Sequence, residues 1–281
     1  MADGIWSGTT SRTPDAGTCG GAFVFAVSSA QMDLGGKTAL VTGGARRVGR
    51  AIVLELARAG ANVVVHHHAS GSEAAATCAA VTSCGAKATA VAADLADAAA
   101  VQRLAREATA VFGGVDVLVN SASVFVHTPI ENLTDAEWDR TLAVNLKGPS
   151  LLAVQLGVMM RQRAGGVIIN IADWAALRPY RGYLPYCVSK AGMLALTTGL
   201  AKALAPSVRV NCIAPGPVLP PNDYTEDDRA QLARRTPLGH LGSPEDVARM
   251  VRFLVVEAEF CTGGVYLVDG GRLNAAASGA D

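Results

Sequence analysis

Tyr186 and Lys190 stand four residues apart in "IADWAALRPYRGYLPYCVSK" (171–190), and Asp173 lies thirteen residues before the tyrosine. A phenol, an ammonium and a carboxylate are the parts of a proton-delivery device. Residues i and i+4 share a helix face and Pro185 suits a first turn, so Tyr186 and Lys190 are expected side by side. A free tyrosine titrates at about 10, and a neighbouring cation favours the phenolate and lowers that value. Such a device serves a reaction that must deliver a proton to a substrate atom. A serine hydroxyl would suit a growing alkoxide, whereas an ionised carboxylate would repel it. Asp173 therefore argues against chemistry that develops an oxyanion at this place. It suits a C=N group whose nitrogen takes the proton, with Asp173 protonated or hydrogen-bonded to Tyr186. A helix cap or a turn is the plainer use of the same aspartate.

A second constellation is "VTGGARRVGRAI", which joins an apolar run to a helical pattern. Gly43 and Gly44 permit a tight turn, Gly49 permits close packing, and the bare amides of a helix N-terminus face an anion. Arg46 and Arg47 break a local rule, because the helix dipole disfavours cations there by about 0.3–1 kcal/mol. That points to an anionic or acceptor-rich ligand; a solvated pair of charges is the alternative. Further on, "VVVHHHASGSEA" carries His66, His67, His68 and Ser70 and no acid before Glu73. Sites for NAD usually place an acid here for the ribose hydroxyls. Imidazoles and a hydroxyl can instead donate to a 2′-phosphate, so NADPH is the expected cofactor, with help from Arg46. The triplet is a poor metal site because successive strand side chains point to opposite faces; no metal is expected.

The elements that must hold these residues follow from periodicity. Apolar, β-branched runs at 38–42, 62–66, 88–93, 115–120, 167–171, 208–213 and 265–268 read as strands buried on both faces. Helical patterns lie between them, at about 47–59, 72–83, 97–112, 135–162, 185–204 and 244–256. Alternation of this kind implies right-handed βαβ units. The expected fold is a single-domain, Rossmann-like α/β protein: a doubly wound parallel sheet of about seven strands with helices on both faces. The domain is expected over 32–275. Residues 1–31 read as a disordered extension or a mis-assigned start with Met32 the natural beginning, since the patch "GAFVFAV" lacks the basic start of a signal peptide. Residues 276–281 read as a frayed tail.

Composition narrows the partners. The 281 residues hold 24 Lys plus Arg against 24 Asp plus Glu, a balance that gives no reason to expect a nucleic-acid or anionic-membrane partner. No uninterrupted apolar run reaches the roughly 18 residues of a membrane span. The six cysteines form no C-x-x-C pair and are read as buried free thiols of a reducing, cytoplasmic compartment.

Taken together, "TGGARRVG", "ADL" with Asp94, "NSAS" at 120–123, Asn145, the Y-x-x-x-K motif and "NCIAPGPV" resemble the short-chain dehydrogenase/reductase family over about 36–273. The resemblance implies that Asp94 and Leu95 meet the adenine and that Val48, Asn120, Ser121 and Ala122 line the cofactor. Pro215, Gly216 and Val218 would border the nicotinamide, and Lys190, next to Tyr186, would orient its ribose. Asn145 would hold a water in a proton relay. Two positions depart from the commonest family pattern: Arg47 replaces the middle glycine of T-G-x-x-x-G-x-G, and Asp173 replaces a serine. With "NSASVFVHTPI" and the histidine-rich strand, these departures look like the pteridine reductase branch. That branch assigns Arg47 and Phe125 to a pterin, with Phe125 stacking on it opposite the nicotinamide, and Ser123 to ligand or cofactor phosphate. A basic residue is usual there where Ala69 stands. Plain packing is the other reading of Phe125 and of Trp174, and Arg181 and Tyr183 are placed near the pocket mouth.

The leading expectation is NADPH-dependent reduction of a pterin, dihydropterin or dihydrofolate. The alternatives are a generic carbonyl or 3-oxoacyl thioester reductase, and a non-catalytic NADPH-binding sensor or scaffold. The intact Tyr186, Lys190 and Asn145 weigh against the last. The resemblance also implies a homotetramer, with the helices at about 135–162 and 185–204 pairing between subunits.

Overall fold

A computed structural model describes residues 32–220 and 224–275. The expectations for residues 1–31 and 276–281 lie outside the described residues. Seven strands, β1 (Thr38–Thr42), β2 (Asn62–His67), β3 (Ala88–Ala92), β4 (Val117–Asn120), β5 (Gly166–Ile171), β6 (Val208–Pro215) and β7 (Val265–Val268), form one sheet. Its order is β3-β2-β1-β4-β5-β6-β7 and every pairing is parallel.

Strand periodicity explains the two cores. Ala39, Val41, Val63, Val65, Val117, Val119, Val167 and Ile169 face one side, and Leu40, Val64, Leu118 and Ile168 face the other. The first side is covered by α1 (Arg47–Arg58) and α8 (Pro244–Val256), through Val53, Leu56, Val247 and Val251. The second is covered by α3 (Ala98–Val111), α5 (Gly148–Arg161) and α6 (Leu184–Leu204), through Leu104, Leu152, Leu156 and Leu200. Each fully buried Leu, Ile or Val contributes about 1.5–3 kcal/mol. Helix α2 (Gly71–Ser83) flanks β3.

The helix expected over 135–162 is built in three pieces: α4 (Asp135–Leu142), a π-helical turn (Ala143–Lys147) and α5. Thr134 and Glu137 start it with a reciprocal capping box. By length and composition the rod Asp135–Arg161 could cross a membrane, but Leu152, Leu156 and Met160 of that rod are buried in the second core. An unexpected helix, α7 (Glu226–Arg234), buries none of its residues. Cys187 and Cys212 are buried as free thiols, whereas Cys84 is exposed and Cys78 and Cys261 are half-buried, so burial does not extend to all of them.

The strand order reverses between β1 and β4. In open parallel sheets the crevice at the carboxyl ends of such strands takes the ligand. The sequence puts Gly43, Asn120, Asp173 and Gly216 just at or past the ends of β1, β4, β5 and β6.

Candidate active site

Chain geometry brings the three chemical groups together from two elements. Leaving β5, the chain turns into a single 3₁₀ turn (Trp174–Ala176), and Asp173 caps it by accepting the Ala175 N–H at 2.8 Å. Helix α6 begins with Pro185 in its first turn and carries Tyr186 and Lys190. The Tyr186 hydroxyl donates to Asp173 Oδ2 at 2.7 Å. The capping bond and the bond to Tyr186 thus coexist, one on each oxygen of Asp173.

Electrostatics corrects one expectation. Lys190 was expected to lower the Tyr186 pKa, yet burial and the facing Asp173 carboxyl push it well above its ordinary value. The ammonium, itself buried, donates to the Ile171 carbonyl at 2.9 Å and lies 5.6 Å from the phenol ring centroid. Burial lowers the Lys190 pKa, an effect that Asp173 opposes. Burial also raises the Asp173 carboxyl, against the donors Ala175 and Tyr186. Both members of the Asp173–Tyr186 pair therefore hold protons more firmly than free side chains do.

The wall of the site is aromatic. Phe125, 45% exposed, stacks on Tyr183 with centroids 4.2 Å apart and planes 7° apart, and meets Tyr186 edge-on at 4.7 Å. Asn145 fixes this wall. In the π turn its side-chain oxygen accepts from Val124 N at 2.8 Å and its amide donates to Val124 O at 2.9 Å and Ser189 Oγ at 3.2 Å. The expected water-holding residue is thus committed to the backbone next to Phe125. A π turn often marks a functional site, and here it aims that amide. Beyond Phe125, Thr128 N donates to Gly182 O and Thr128 pairs with Tyr183, joining the two loops. Ser123 is exposed and bonds its neighbour's carbonyl, Val124 O.

The loop after β1 is tightly built. Gly43 has φ +65°, and a Cβ there would lie 2.9 Å from Ala122 Cα; at Gly49 it would lie 2.1 Å from Gly43 O. Helical geometry leaves the amides of the first turn, which includes Val48, without intrahelical acceptors. Thr42 Oγ1 accepts from Ser121 N and Ala122 N, joining this loop to the end of β4. Gly216 abuts Asp269, Pro215 ends β6, and Val218 is buried behind them.

Several expected ligand groups are engaged within the chain. His66 is buried: its Nδ1 accepts from Gly43 N and its Nε2 bonds Ala93 O. It braces the glycine turn instead of offering a donor to a phosphate, because β2 turns it toward the interior. Burial lowers its pKa to about 4, so it is neutral at pH 7. His67 is half-buried with Nδ1 unpartnered, and His68 lies 3.8 Å from Asp94. Asp94 also accepts from Arg140 at 2.8 Å and from Ala96 N. Leu95 is buried, with its carbonyl against Gly148. The Asn120 side chain is buried; its amide donates to Asn170, while its oxygen has no partner. Arg46 forms an exposed pair with Glu73 at 3.5 Å, and Ser70 precedes α2 without a side-chain capping bond. Arg47, at φ +53°, donates to Leu219 O at 3.0 Å.

The buried His66 has a measurable consequence. Its folded pKa lies below the unfolded value of about 6.5, so its contribution to stability is complete above 6.5 and is lost as pH falls toward 4. By pH 5 the loss is about 2 kcal/mol. Urea unfolding at pH 7 and pH 5 should show a smaller acid-induced loss in His66→Gln than in the wild type. Equal losses would remove His66 from the acid response.

Sequence reasoning missed Tyr180, whose hydroxyl donates to Asp173 Oδ1 at 3.0 Å. Nothing in "RPYRGY" signals that contact.

A parallel sheet with a glycine turn at its reversal point is built to take a dinucleotide at its strand ends, and here a tyrosine, a lysine and an acid stand at the adjoining strand end. Comparison with known proteins agrees. The family described as "Enoyl-(Acyl carrier protein) reductase" matches residues 19–272. A 3-oxoacyl-[acyl-carrier-protein] reductase of Synechocystis is 36% identical over 239 residues, 84% of this chain and 96% of that protein. Two solved structures share the fold. A short-chain dehydrogenase/reductase of Serratia marcescens has TM-score 0.80 and 38% identity, covering 86% of this chain and all of that one. A blue fluorescent protein from a metagenomic library, in complex with NADPH, has TM-score 0.80 and 34% identity, covering 86% of this chain and 99% of that one. The chain belongs to the short-chain dehydrogenase/reductase family, and it is an oxidoreductase of that type.

Proposed function

We propose that the chain is an NADPH-dependent reductase whose Asp173–Tyr186 pair protonates the nitrogen of a C=N bond in a flat heterocycle such as a pterin, dihydropterin or dihydrofolate. The observation that carries this reading is the 2.7 Å hydrogen bond between Tyr186 and Asp173. An ionised carboxylate at that place would repel an alkoxide, whereas a carboxyl that keeps its proton can return it to the phenol after the phenol has protonated nitrogen.

The cofactor, when bound, supplies the hydride. The chain's residues fit it: the turn that excludes a Cβ at Gly43 and Gly49 brings helix-start amides to a pyrophosphate. Ala122 packs against that turn at Gly43, and Lys190 would hold the ribose. The absence of an acid at the end of β2, together with Arg46, His68 and Ser70, supports NADPH over NADH. Phe125 and Tyr183 offer a flat apolar face to a ring, and Arg47 offers donors to its acceptors. Tyr186 then gives its proton to the substrate nitrogen, and Asp173 or solvent restores it. The exposed Leu151, Val154 and Val158 of α5 support self-association, which the resemblance puts at a homotetramer.

The second reading, reduction of a carbonyl such as a 3-oxoacyl thioester, has the relatives behind it. The Synechocystis protein bears the name of a 3-oxoacyl reductase, and the relatives compared lend the pterin no support. The weight of similarity lies with the carbonyl, whereas the side chain at position 173 favours C=N. NADPH oxidation with dihydrobiopterin, dihydrofolate and an acetoacetyl thioester separates them. Turnover of the thioester alone would overturn the pterin reading. Equal efficiency with NADH would overturn the cofactor preference, and tight NADPH binding without turnover of any of the three would favour a sensor.

A further inference from the structure

We propose that Tyr180 is a positioning residue for the proton pair, holding one oxygen of Asp173 so that the other is presented to Tyr186. The inference rests on the reading of Asp173 and Tyr186 as a proton-delivering pair and adds a third member to it. The two carboxyl oxygens are divided between partners. Oδ1 accepts from the Tyr180 hydroxyl at 3.0 Å and from Ala175 N at 2.8 Å; Oδ2 accepts from Tyr186 at 2.7 Å. With Oδ1 held at two points, rotation of the carboxyl away from Tyr186 breaks both bonds.

The Tyr180 hydroxyl is itself placed by packing. Its ring lies edge-on to Trp174 at 5.5 Å, to Tyr183 at 6.2 Å and to Phe125 at 6.3 Å. Its backbone N–H donates to Cys187 Sγ at 3.3 Å, which ties residue 180 to the first turn of α6. The aromatic wall and the acid are thereby one assembly, and the phenol at 180 links them.

Chemistry gives the link a direction. Burial and the neighbouring carboxyl raise the Tyr180 pKa, so its hydroxyl stays a donor and supplies no proton of its own. A donor to a carboxyl stabilises the ionised form. Tyr180 therefore holds down the pH at which Asp173 takes up its proton, against the burial that raises it. The groups facing Asp173 are Tyr180 from the loop, and Tyr186, Cys187 and Lys190 from α6.

Tyr180→Phe keeps the ring and removes the donor. In protein labelled with ¹³C at aspartate carboxyls, the Asp173 resonance is identified by its loss in Asp173→Asn. Its titration midpoint should rise by about one pH unit in Tyr180→Phe. The kcat profile on a substrate that the wild type reduces should shift its Asp173-dependent limb upward in step, with KM for NADPH unchanged. A purely packing role for Tyr180 would move neither. 3,5-Difluorotyrosine at position 180 is a stronger donor and should move the midpoint down. A midpoint that stays in place in both variants overturns the proposal. The carboxyl titration needs no substrate, so failure of the pterin reading, visible in the wild type's substrate panel, leaves this test able to decide.

Discussion

On the proposed C=N chemistry, Asp173→Ser should lower dihydropterin turnover by about a hundredfold or more and leave NADPH affinity unchanged, since general acid–base groups contribute rate factors of about 10²–10⁴. The reason lies in what serine keeps and what it loses. Serine caps a helical turn about as well as aspartate, so the Ala175 N–H keeps its acceptor and the turn after β5 survives. The hydroxyl has one oxygen where the carboxyl used two. It cannot store a proton near neutral pH and return it to the phenol. Single-turnover rates with dihydrobiopterin and NADPH, beside NADPH affinity by fluorescence titration, check the split between chemistry and binding. A carbonyl substrate should respond in the opposite sense wherever Asp173 is ionised, because the carboxylate that would repel an alkoxide is gone. An unchanged dihydropterin rate would show that the acid takes no part.

Arg47→Gly should change stability and activity in opposite directions. At φ +53° Arg47 occupies the left-handed region, which costs an ordinary residue about 1–2 kcal/mol and glycine almost nothing. The cation also stands at a helix start, the wrong end of the dipole. Relief of the strain should raise Tm by about 2–4 °C. The guanidinium that reaches Leu219 O at 3.0 Å would be lost, and with it the charge-assisted donor proposed for the substrate. KM for substrate should rise about tenfold or more. Calorimetry and steady-state kinetics on the same preparation test both halves. A lower Tm would show that the strained backbone is paid for by contacts of the arginine itself.

Most of the fold was legible because its signals are collective. The apolar strands and the alternating helices repeat one pattern six times over, and expected and observed ends agree within one or two residues at most of them. Helix α7 was not legible: "EDDRAQLAR" has no apolar stripe to bury, and only its capping box marks it. The π turn at 143–147 leaves no periodic trace either, since it adds one residue to a continuous helix. In the site, the Tyr186–Lys190 spacing and the acid at 173 were readable as a local pattern. The sense of the tyrosine's pKa shift was not, because it depends on burial and on which group the ammonium contacts. His66 shows the same limit. Its type suggested a ligand, but β2 carries it inward to brace Gly43. Tyr180 reaches Asp173 across a loop whose path no spacing rule encodes.

The loops carrying Phe125 and Tyr183 are joined at Thr128 by a parallel bridge and a hydrogen bond to Gly182. For anyone redesigning the entrance, they count as one part. Substitutions placed on both sides of that seam share a backbone connection and a ring stack, so their energetic effects will not sum. A library that varies the loops one at a time, and combines the best of each, would be searching along the wrong axes; the two must be varied jointly.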